Sequence, residues 1–198
     1  MNYLAHAYLS FSNEEILLGN MSSDFIKGKQ KLAYSINMQK GITLHRAIDT
    51  FTDAHVATKQ ARIFFKPAVG LYSGAFVDVV YDHFLAIDTN EFINELALQN
   101  FANTTYSQLQ NNIEQLPESF KKMLPYMTSQ NWLYNYKFNW GIQKSFEGVA
   151  RRAMYLDNAN KVFIAFEANY AALQNCYHQF FGDVKNFAWQ QFQALQND

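Results

Sequence analysis

One thirteen-residue segment, GITLHRAIDTFTD at residues 41–53, places an imidazole and two carboxylates at intervals of four residues. On a helix of about 3.6 residues per turn, His45, Asp49 and Asp53 follow one another at about 40° and form a single stripe. The apolar side chains form a second stripe, about a third of a turn away: Leu44, Ile48 and Phe51. The segment therefore predicts a helix that buries one face and lines a polar cavity with the next.

The composition predicts one globular domain over residues 1–198. Hydrophobic residues make up 49% of the chain and aromatic residues 17%, which is enough for one sizeable core. The single cysteine, Cys176, excludes an internal disulfide and suits a reducing compartment. The start of the chain lacks the basic and continuously apolar parts of a secretory signal, so we expect a cytoplasmic protein.

Helical periodicity runs through the whole chain, and alternating strand patterns are absent from the sequence. We predict an all-α fold with helices over residues 2–10, 33–52, 55–65, 70–87, 90–116, 118–124, 132–155, 158–181 and 184–195. Pro67 and Pro117 are expected to end helices, and Gly141 to interrupt one. Asp88, with Glu91 three residues later, resembles a capping pair for the following helix.

A second group of polar residues lies in the apolar segment FVDVVYDHF at residues 76–84. Asp78 and Asp82 are four residues apart on one helical face, and His83 lies about 100° further round. The carboxylates also interrupt the best apolar stretch, residues 71–84, so no membrane span is expected. Buried carboxylates need a metal ion, a basic partner or a shared proton.

Each of these residues has an ordinary structural alternative. Asp78 or Asp82 would pair with a buried arginine such as Arg46 or Arg151. His83 would be a core histidine with satisfied hydrogen bonds.

Two candidate residues precede the stripe. His6 lies in the apolar segment YLAHAYL, where a structural histidine is the alternative to a metal ligand. Asp24 lies in GNMSSDF, where it would otherwise cap a helix or a turn.

The positive charges are concentrated in the first third of the chain. A net charge of −1 argues against extensive nucleic-acid binding, but half of the 16 basic residues precede residue 67. Lys59, Arg62 and Lys66 are spaced to share one helical face. That face is either a solvated helix surface or a binding surface for an acidic partner.

Four motifs carry a resemblance to a known family: MNYLAH at the start, GN followed by DF at residues 19–25, GITLHRAIDTFTD and DVVYDHF. The chain resembles the acyl carrier protein phosphodiesterases, which look like divergent HD-domain metal phosphohydrolases. The family pattern matches at ten positions: His6, Asn20, Asp24, His45, Arg46, Asp49, Asp53, Asp78, Asp82 and His83. Weaker similarity continues through Gly141, Gly148 and the pair Arg151 and Arg152.

The sequence departs from the pattern at Ser22 and Ser23, where a Leu-Ala pair is expected. Asp82 precedes His83, the reverse of the HD order, so the usual HD ligand assignment does not transfer directly.

The resemblance implies an HD-like all-α fold and the hydrolysis of holo acyl carrier protein to apo protein and 4′-phosphopantetheine. It implies a divalent cation, Mn²⁺ in the first place with Mg²⁺ or Fe²⁺ as alternatives. The implied ligands are His6, Asp24, His45, Asp82 and His83. The implied catalytic set is Asp24, His45, Arg46, Asp49, Asp53 and Asp78; within it, Asp49 or Asp53 orients water or acts as the base, and Arg46 offsets phosphoryl charge.

Acyl carrier proteins are strongly acidic, so the resemblance also gives the basic residues a role. The implied docking residues are Lys27, Lys29, Lys59, Arg62 and Lys66. Two other functions stay open: an HD-type phosphohydrolase acting on nucleotides such as guanosine alarmones, and a non-catalytic helical binding protein. The sequence does not specify an oligomeric state.

Overall fold

The computed structural model describes residues 1–153 and 159–197, and all regular structure in these ranges is helical. The helices are α1 (Tyr3–Tyr8), α2 (Glu14–Ser22), α3 (Ile36–Ala54), α4 (Val56–Val69), α5 (Ser73–Ile87), α6 (Glu95–Asn111), α7 (Glu118–Ser129), α8 (Trp132–Asn135), α9 (Asn139–Arg152), α10 (Ala159–Ala168) and α11 (Tyr170–Asn197). Short 3₁₀ turns lie at Ser23–Phe25, Gly28–Ala33, Gly70–Tyr72 and Ile113–Gln115. The predicted all-α fold is confirmed.

Helix α5 forms the centre of the fold. Its apolar side chains are buried on most of its surface, and α1, α4, α9 and α11 pack around it. A cluster of aromatic rings fills the space between α4, α5, α9 and α10, with edge-to-face contacts among Phe65, Phe76, Phe146 and Phe166. Helix α3 packs against α2, α4 and α11, so the stripe predicted from its sequence lies beside the core.

Helices α2 and α3 touch through their backbones. A Cβ atom on Gly19 would lie 2.1 Å from the carbonyl oxygen of Met38, and one on Gly41 would lie 2.3 Å from that of Ile16. Only glycine permits so close an approach at these two positions. The crossing brings the residue after Gly19 directly against the middle of α3.

Helix α2 was not predicted, although its start carries a clear signal. The Oδ1 of Asn13 accepts a hydrogen bond of 3.0 Å from the backbone N–H of Ile16, and two glutamates occupy the first turn. The loop predicted at Ser12 and Asn13 is present just before it, with Phe11 and Ser12 at positive φ.

Several predicted helix ends differ from the structure. Pro67 does not end α4, which continues to Val69. Pro67 has no N–H to donate to the carbonyl of Ile63, but Ile63 lies on the exposed side of the helix. Helix α6 is capped by Asn94, whose Oδ1 accepts from the N–H of Ala97, and not by Asp88 and Glu91. The Asp88 carboxylate instead accepts from Asn90 within the preceding turn.

The last two helices divide earlier than predicted, at Asn169, whose side chain donates to the backbone oxygen of Ala165, and α11 continues through Gly182. The predicted helix end at Tyr155 and start at Asn158 lie outside the described residues. An interruption near Gly141 is present, since α8 ends at Asn135 and α9 begins at Asn139.

The segment Val56–Ile87 is long and apolar enough to cross a membrane by composition alone. It comprises two separate helices that pack against each other. The chain turns between them at Gly70, which has a φ of 54°. Neither α4, with 14 residues, nor α5, with 15, has the length of about 20 residues that a membrane span requires. Their apolar faces belong to the core.

Candidate metal centre

Two histidines from different helices stack face to face. The ring centroids of His6 in α1 and His45 in α3 are 3.9 Å apart, and the ring planes differ by 18°. Both side chains are almost completely buried. The contact places an imidazole from each helix at the same point between them.

Asn20 fixes the orientation of both rings. Its side-chain oxygen accepts a hydrogen bond from the Nδ1–H of His6 at 2.8 Å, and its backbone oxygen accepts from the Nδ1–H of His45 at 2.7 Å. The Asn20 amide group in turn donates to the backbone oxygen of His6 and to Ser10 Oγ. With Nδ1 acting as donor in both rings, each Nε2 is left to face the opposite direction.

Both Nε2 atoms point to one carboxylate. His6 Nε2 lies 3.2 Å from Asp49 Oδ1, and His45 Nε2 lies 3.1 Å from Asp49 Oδ2. The sequence spacing predicted that His45 and Asp49 share a face, and the structure confirms it. Asp49 is therefore placed among the potential ligands.

Asp24 lies on the solvent side of this group. It follows α2 in a 3₁₀ turn, and its Oδ1 is 3.2 Å from His45 Nε2. Its side chain is 72% exposed, whereas that of His45 is 6% exposed. The structure thus brings Asp24 to the rim of the site, where a ligand or water has access.

The charges of the cluster follow from its burial and hydrogen bonds. Burial lowers the pKa of His45, but hydrogen bonds to Asp24 and Asp49 outweigh it and raise the pKa to about 9. Burial and the positive charge of His45 lower the pKa of His6 to about 4. The hydrogen bond from His45 lowers the pKa of Asp24. The pKa of Asp49 is also lowered because both imidazoles outweigh its burial.

The arrangement fits a divalent cation. His6 is neutral and holds its proton on Nδ1, so its buried Nε2 presents a lone pair to the Asp49 carboxylate and has no hydrogen-bond partner. One ligand atom each from His6, His45 and Asp49 lie within 4.8 Å of one another. A cation among them would satisfy the unpartnered nitrogen, and the two Nδ1–H bonds are the usual supports of metal-bound histidines.

Asp78 borders the cluster through a salt bridge. Its Oδ1 lies 3.0 Å from the amino group of Met1, which is also 3.5 Å from Asp49 Oδ1. Burial raises the pKa of Asp78, and the amino group partly offsets this effect. The proposed pairing of Asp78 with Arg46 or Arg151 is wrong, because the Met1 amino group is its partner.

The structure does not support Asp82 as a ligand. Its carboxylate accepts hydrogen bonds from three backbone N–H groups at the start of α1, those of Asn2, Leu4 and Ala5, at 3.2, 2.7 and 3.3 Å. A carboxylate at a helix N-terminus satisfies groups that would otherwise lack partners. Asp82 thus attaches α1 to α5 rather than joining the cluster, and burial raises its pKa to about 7.

His83 is also directed away from the cluster. Its Nδ1–H donates to the backbone oxygen of Tyr136 at 2.8 Å, and its Nε2 accepts from the Tyr170 hydroxyl at 2.9 Å. Burial lowers its pKa, which agrees with a neutral ring. Since both nitrogens are occupied within the core, the predicted ligand role of His83 is not supported and the structural alternative fits.

Two further predicted residues have other partners. Asp53 forms an exposed salt bridge with Arg62. Of the predicted stripe, only His45 and Asp49 therefore belong to the cluster. The Nη2 of Arg46 donates to the backbone oxygen of Ile26 at 3.1 Å. Arg46 therefore lies beside the turn that carries Asp24.

Three of the predicted docking residues share one surface. Lys59, Arg62 and Lys66 line a shallow cavity with the fully exposed side chain of Leu71. Lys27 and Lys29 are exposed in the turn that follows Asp24.

The sequence analysis gave no role to Asn20, although its position matched the family pattern. The signal that could have identified Asn20 is an asparagine that lies between the candidate ligands His6 and Asp24 in the sequence.

Comparison with known proteins identifies the family. The family model for acyl carrier protein phosphodiesterase matches residues 1–184. This chain belongs to the acyl carrier protein phosphodiesterase family. All the residues of the His6, His45 and Asp49 cluster, with Asn20 and Asp24, fall within the matched part.

Members of the acyl carrier protein phosphodiesterase family from several bacteria are similar to this chain along most of its length. The phosphodiesterase of Photorhabdus laumondii is 31% identical over 181 residues, which cover 91% of each chain. That of Pectobacterium atrosepticum is 35% identical over 136 residues, covering 69% of this chain and 70% of its own. The enzyme of Escherichia coli O157:H7 is 30% identical over 181 residues, covering 91% and 94%. No solved structure matches significantly, so the HD-like form of the fold stays a prediction.

Proposed function

We propose that this protein hydrolyses the phosphodiester between 4′-phosphopantetheine and a serine of holo acyl carrier protein. The family and the names of its relatives support the substrate. The observation that carries the chemistry is the convergence of His6 and His45 on the two oxygens of Asp49. The proposal includes a cytoplasmic location, as the sequence predicts.

A divalent cation would be held by His6, His45 and Asp49, with Asp24 adjacent on the exposed side. A set of two nitrogen and one or two oxygen ligands suits Mn²⁺ or Fe²⁺ better than Mg²⁺, which prefers oxygen ligands, and we propose Mn²⁺ first. When bound, such a cation polarises a phosphoryl oxygen and makes a coordinated water more acidic.

The protein's own groups would bind and orient the substrate. Asp24 and Asp49 are ionised, and Asp24 is exposed enough to accept a hydrogen bond from water at the rim. Arg46 lies beside the Asp24 turn, where its positive charge would offset that of the phosphoryl group. In hydrolysis, water oxygen forms a bond to phosphorus, the bond to the serine oxygen breaks, and that oxygen receives a proton.

The acidic carrier protein would dock on the surface of Lys59, Arg62, Lys66 and Leu71. Arg62 connects this surface to the site, because it pairs with Asp53, one helical turn after Asp49. Its guanidinium also lies against Gly74, one turn before Asp78. The basic residues and the exposed leucine would therefore meet the partner within reach of the cluster.

The decisive experiment measures the mass of holo acyl carrier protein after incubation with the enzyme and Mn²⁺. We expect loss of one phosphopantetheine unit, and we expect it to require the added cation. His45→Ala should abolish the reaction, whereas the matched variant His178→Ala, at an exposed position in α11, should retain it.

The same preparation tests the two alternative functions. A panel of nucleotides that includes guanosine alarmones should remain intact, and turnover of these with no change in the carrier protein would overturn the proposal. A protein that binds no Mn²⁺ and leaves every substrate intact would instead be a binding protein.

A further inference from the structure

A second cavity opens beside the cluster, between the start of α1 and the helices α8 and α9. The volume accessible to water inside it is about 160 Å³, and it opens to solvent along one side. The sequence predictions assigned no function to its lining residues, although Gly148, Arg151 and Arg152 were among the weaker family matches.

The position of the cavity connects it to the metal centre. Asn2 and Tyr3 line it, and His6 lies one turn further along the same helix. Tyr3 lies close enough to both Arg152 and Asp24 for their charges to act on its hydroxyl group. The end of the cavity at Tyr3 and Arg152 is thus the end nearest the cluster.

The lining combines three kinds of group. Aromatic walls are provided by Tyr3, Trp132 and Trp140, and side-chain amides by Asn2, Gln130 and Asn135. Three cations complete the set: Lys144, Arg151 and Arg152. Among the described residues that line the cavity there is no carboxylate, although Lys144 pairs with Glu147 at 3.0 Å, so Arg151 and Arg152 are the cations best placed to meet an anion.

The hydrogen bonds of the amides leave groups for a ligand. Gln130 Oε1 accepts from the Trp132 indole N–H at 3.0 Å, and Asn135 Nδ2 donates to the Gln130 backbone oxygen at 2.7 Å. The NH₂ group of Gln130 and the amide oxygen of Asn135 complement a ligand that has amide groups of its own.

We propose that this cavity binds the 4′-phosphopantetheine arm of the substrate, with the phosphate at Tyr3 and Arg152 and the arm along Trp132 and Trp140. This inference rests on the proposed function. The arm is a short flexible chain with two amides, aliphatic links and a phosphate at one end. Guanidinium groups suit the phosphate, side-chain amides suit the peptide-like groups, and aromatic faces suit the aliphatic links.

Gly148 provides a way to fill the cavity without disturbing the fold. It lines the cavity within α9, and a Cβ atom there would meet no other atom within 4 Å. Gly148→Leu should therefore place its side chain in the space assigned to the arm. Gly182→Leu is the matched control, because Gly182 lies in α11, lines no part of this cavity, and is equally open.

The first measurement is calorimetric binding of free 4′-phosphopantetheine to the Mn²⁺-loaded protein. We expect Gly148→Leu to weaken binding at least about tenfold and Gly182→Leu to leave it unchanged, since a filled cavity excludes the ligand. Trp140→Ala, at a position that is 55% exposed, should weaken binding as well. Equal affinity in wild type, Gly148→Leu and Trp140→Ala would overturn the inference.

The second measurement locates the phosphate. Arg152→Gln should weaken binding of 4′-phosphopantetheine about tenfold but not that of pantetheine, which lacks the phosphate. Loss of both ligands, or of neither, would contradict the assigned orientation.

Kinetics separate this inference from the proposed function. Gly148→Leu should lower kcat/KM for holo acyl carrier protein about tenfold while hydrolysis of bis(4-nitrophenyl) phosphate, which has no arm, stays within about twofold of wild type. Full activity of Gly148→Leu on holo carrier protein would refute the arm site alone. Inactive wild-type enzyme would refute the proposed function, and the binding measurements would still decide the occupant of the cavity.

Discussion

The imidazole rings of His6 and His45 lie 3.9 Å apart and face the same carboxylate, that of Asp49. Two imidazolium ions cannot lie stacked at this distance without strong repulsion. Only His45 therefore carries a charge near neutral pH, and His6 presents a lone pair. A cation that displaces the His45 proton would find two nitrogens and a carboxylate already directed at it.

Asn20 should control metal affinity without binding metal. Asn20→Ala removes the acceptor of the His6 Nδ1–H and frees that ring to rotate, so we expect the Kd for Mn²⁺ to rise roughly 10–100-fold. Titration calorimetry measures the change, and circular dichroism verifies that the helices persist. Asn139→Ala, at an exposed position in α9, is the matched control. An unchanged Kd in Asn20→Ala would show that the rings hold their orientation without it.

Metal binding should become tighter as pH rises. His45 has a raised pKa of about 9 and must lose its proton to act as a ligand, so the apparent affinity for Mn²⁺ should increase up to about tenfold per unit between pH 6.5 and 8. Calorimetry in buffers of different ionisation enthalpy should show release of about one proton per ion. Affinity independent of pH would exclude His45 as a ligand.

The same raised pKa affects the metal-free fold. The folded state holds the His45 proton more tightly than the unfolded state, whose pKa is 6.5. The contribution to stability is therefore complete below about pH 6.5 and is lost as the pH rises through about 9. Chemical denaturation of wild type and His45→Gln over this range measures the difference.

Asp82 should affect stability rather than metal binding. Asp82→Asn loses an acceptor for the N–H groups at the start of α1, and we expect a loss of about 1.5–3 kcal/mol in the free energy of unfolding. The Kd for Mn²⁺ of the folded variant should stay within about twofold of wild type. Asp49→Asn, by contrast, should lose binding by at least about tenfold. Loss of Mn²⁺ binding in folded Asp82→Asn would restore Asp82 to the ligand set.

Lys66 should contribute to recognition of the carrier protein. Reversing its charge in Lys66→Glu places repulsion on the basic surface, so KM for holo acyl carrier protein should rise several-fold, to about tenfold, with kcat unchanged. The effect should diminish at high salt. Lys122→Glu, an equal charge change at an exposed position in α7, is the control. Equal KM values in the two variants would exclude this surface.

Periodicity was sufficient to predict the parts of the site that lie on one helix. His45 and Asp49 share a face because they are four residues apart, and the surrounding apolar residues fix which side α3 buries. The same rule grouped Asp53 with them, but Asp53 lies in the last turn of α3, where the chain reverses and brings Arg62 back against it. Spacing specifies a face and not the partner that meets it.

The structure does not support Asp82 and His83 as ligands, for the same reason. A buried carboxylate needs a partner, but the pattern in α5 does not reveal whether that partner is a cation or the N-terminus of another helix. Here the first turn of α1 lies over Asp82, and Tyr136 and Tyr170 enclose His83. These are contacts between distant parts of the chain. His6 and Asp24 were placed by the family resemblance, which includes such long-range information.

The backbone contact of Gly19 and Gly41 sets the position of Asn20 through main-chain atoms alone. The Asn20 carbonyl that receives His45 therefore cannot be shifted by a change of side-chain rotamer. One of the two hydrogen bonds that orient the imidazoles therefore depends on the backbone crossing, and the other depends on the Asn20 side chain, which is held by His6 and Ser10. The enzyme thus has one imidazole oriented by a main-chain group and one oriented by a side chain, so a substitution of Asn20 would release His6 and leave the hydrogen bond of His45 in place.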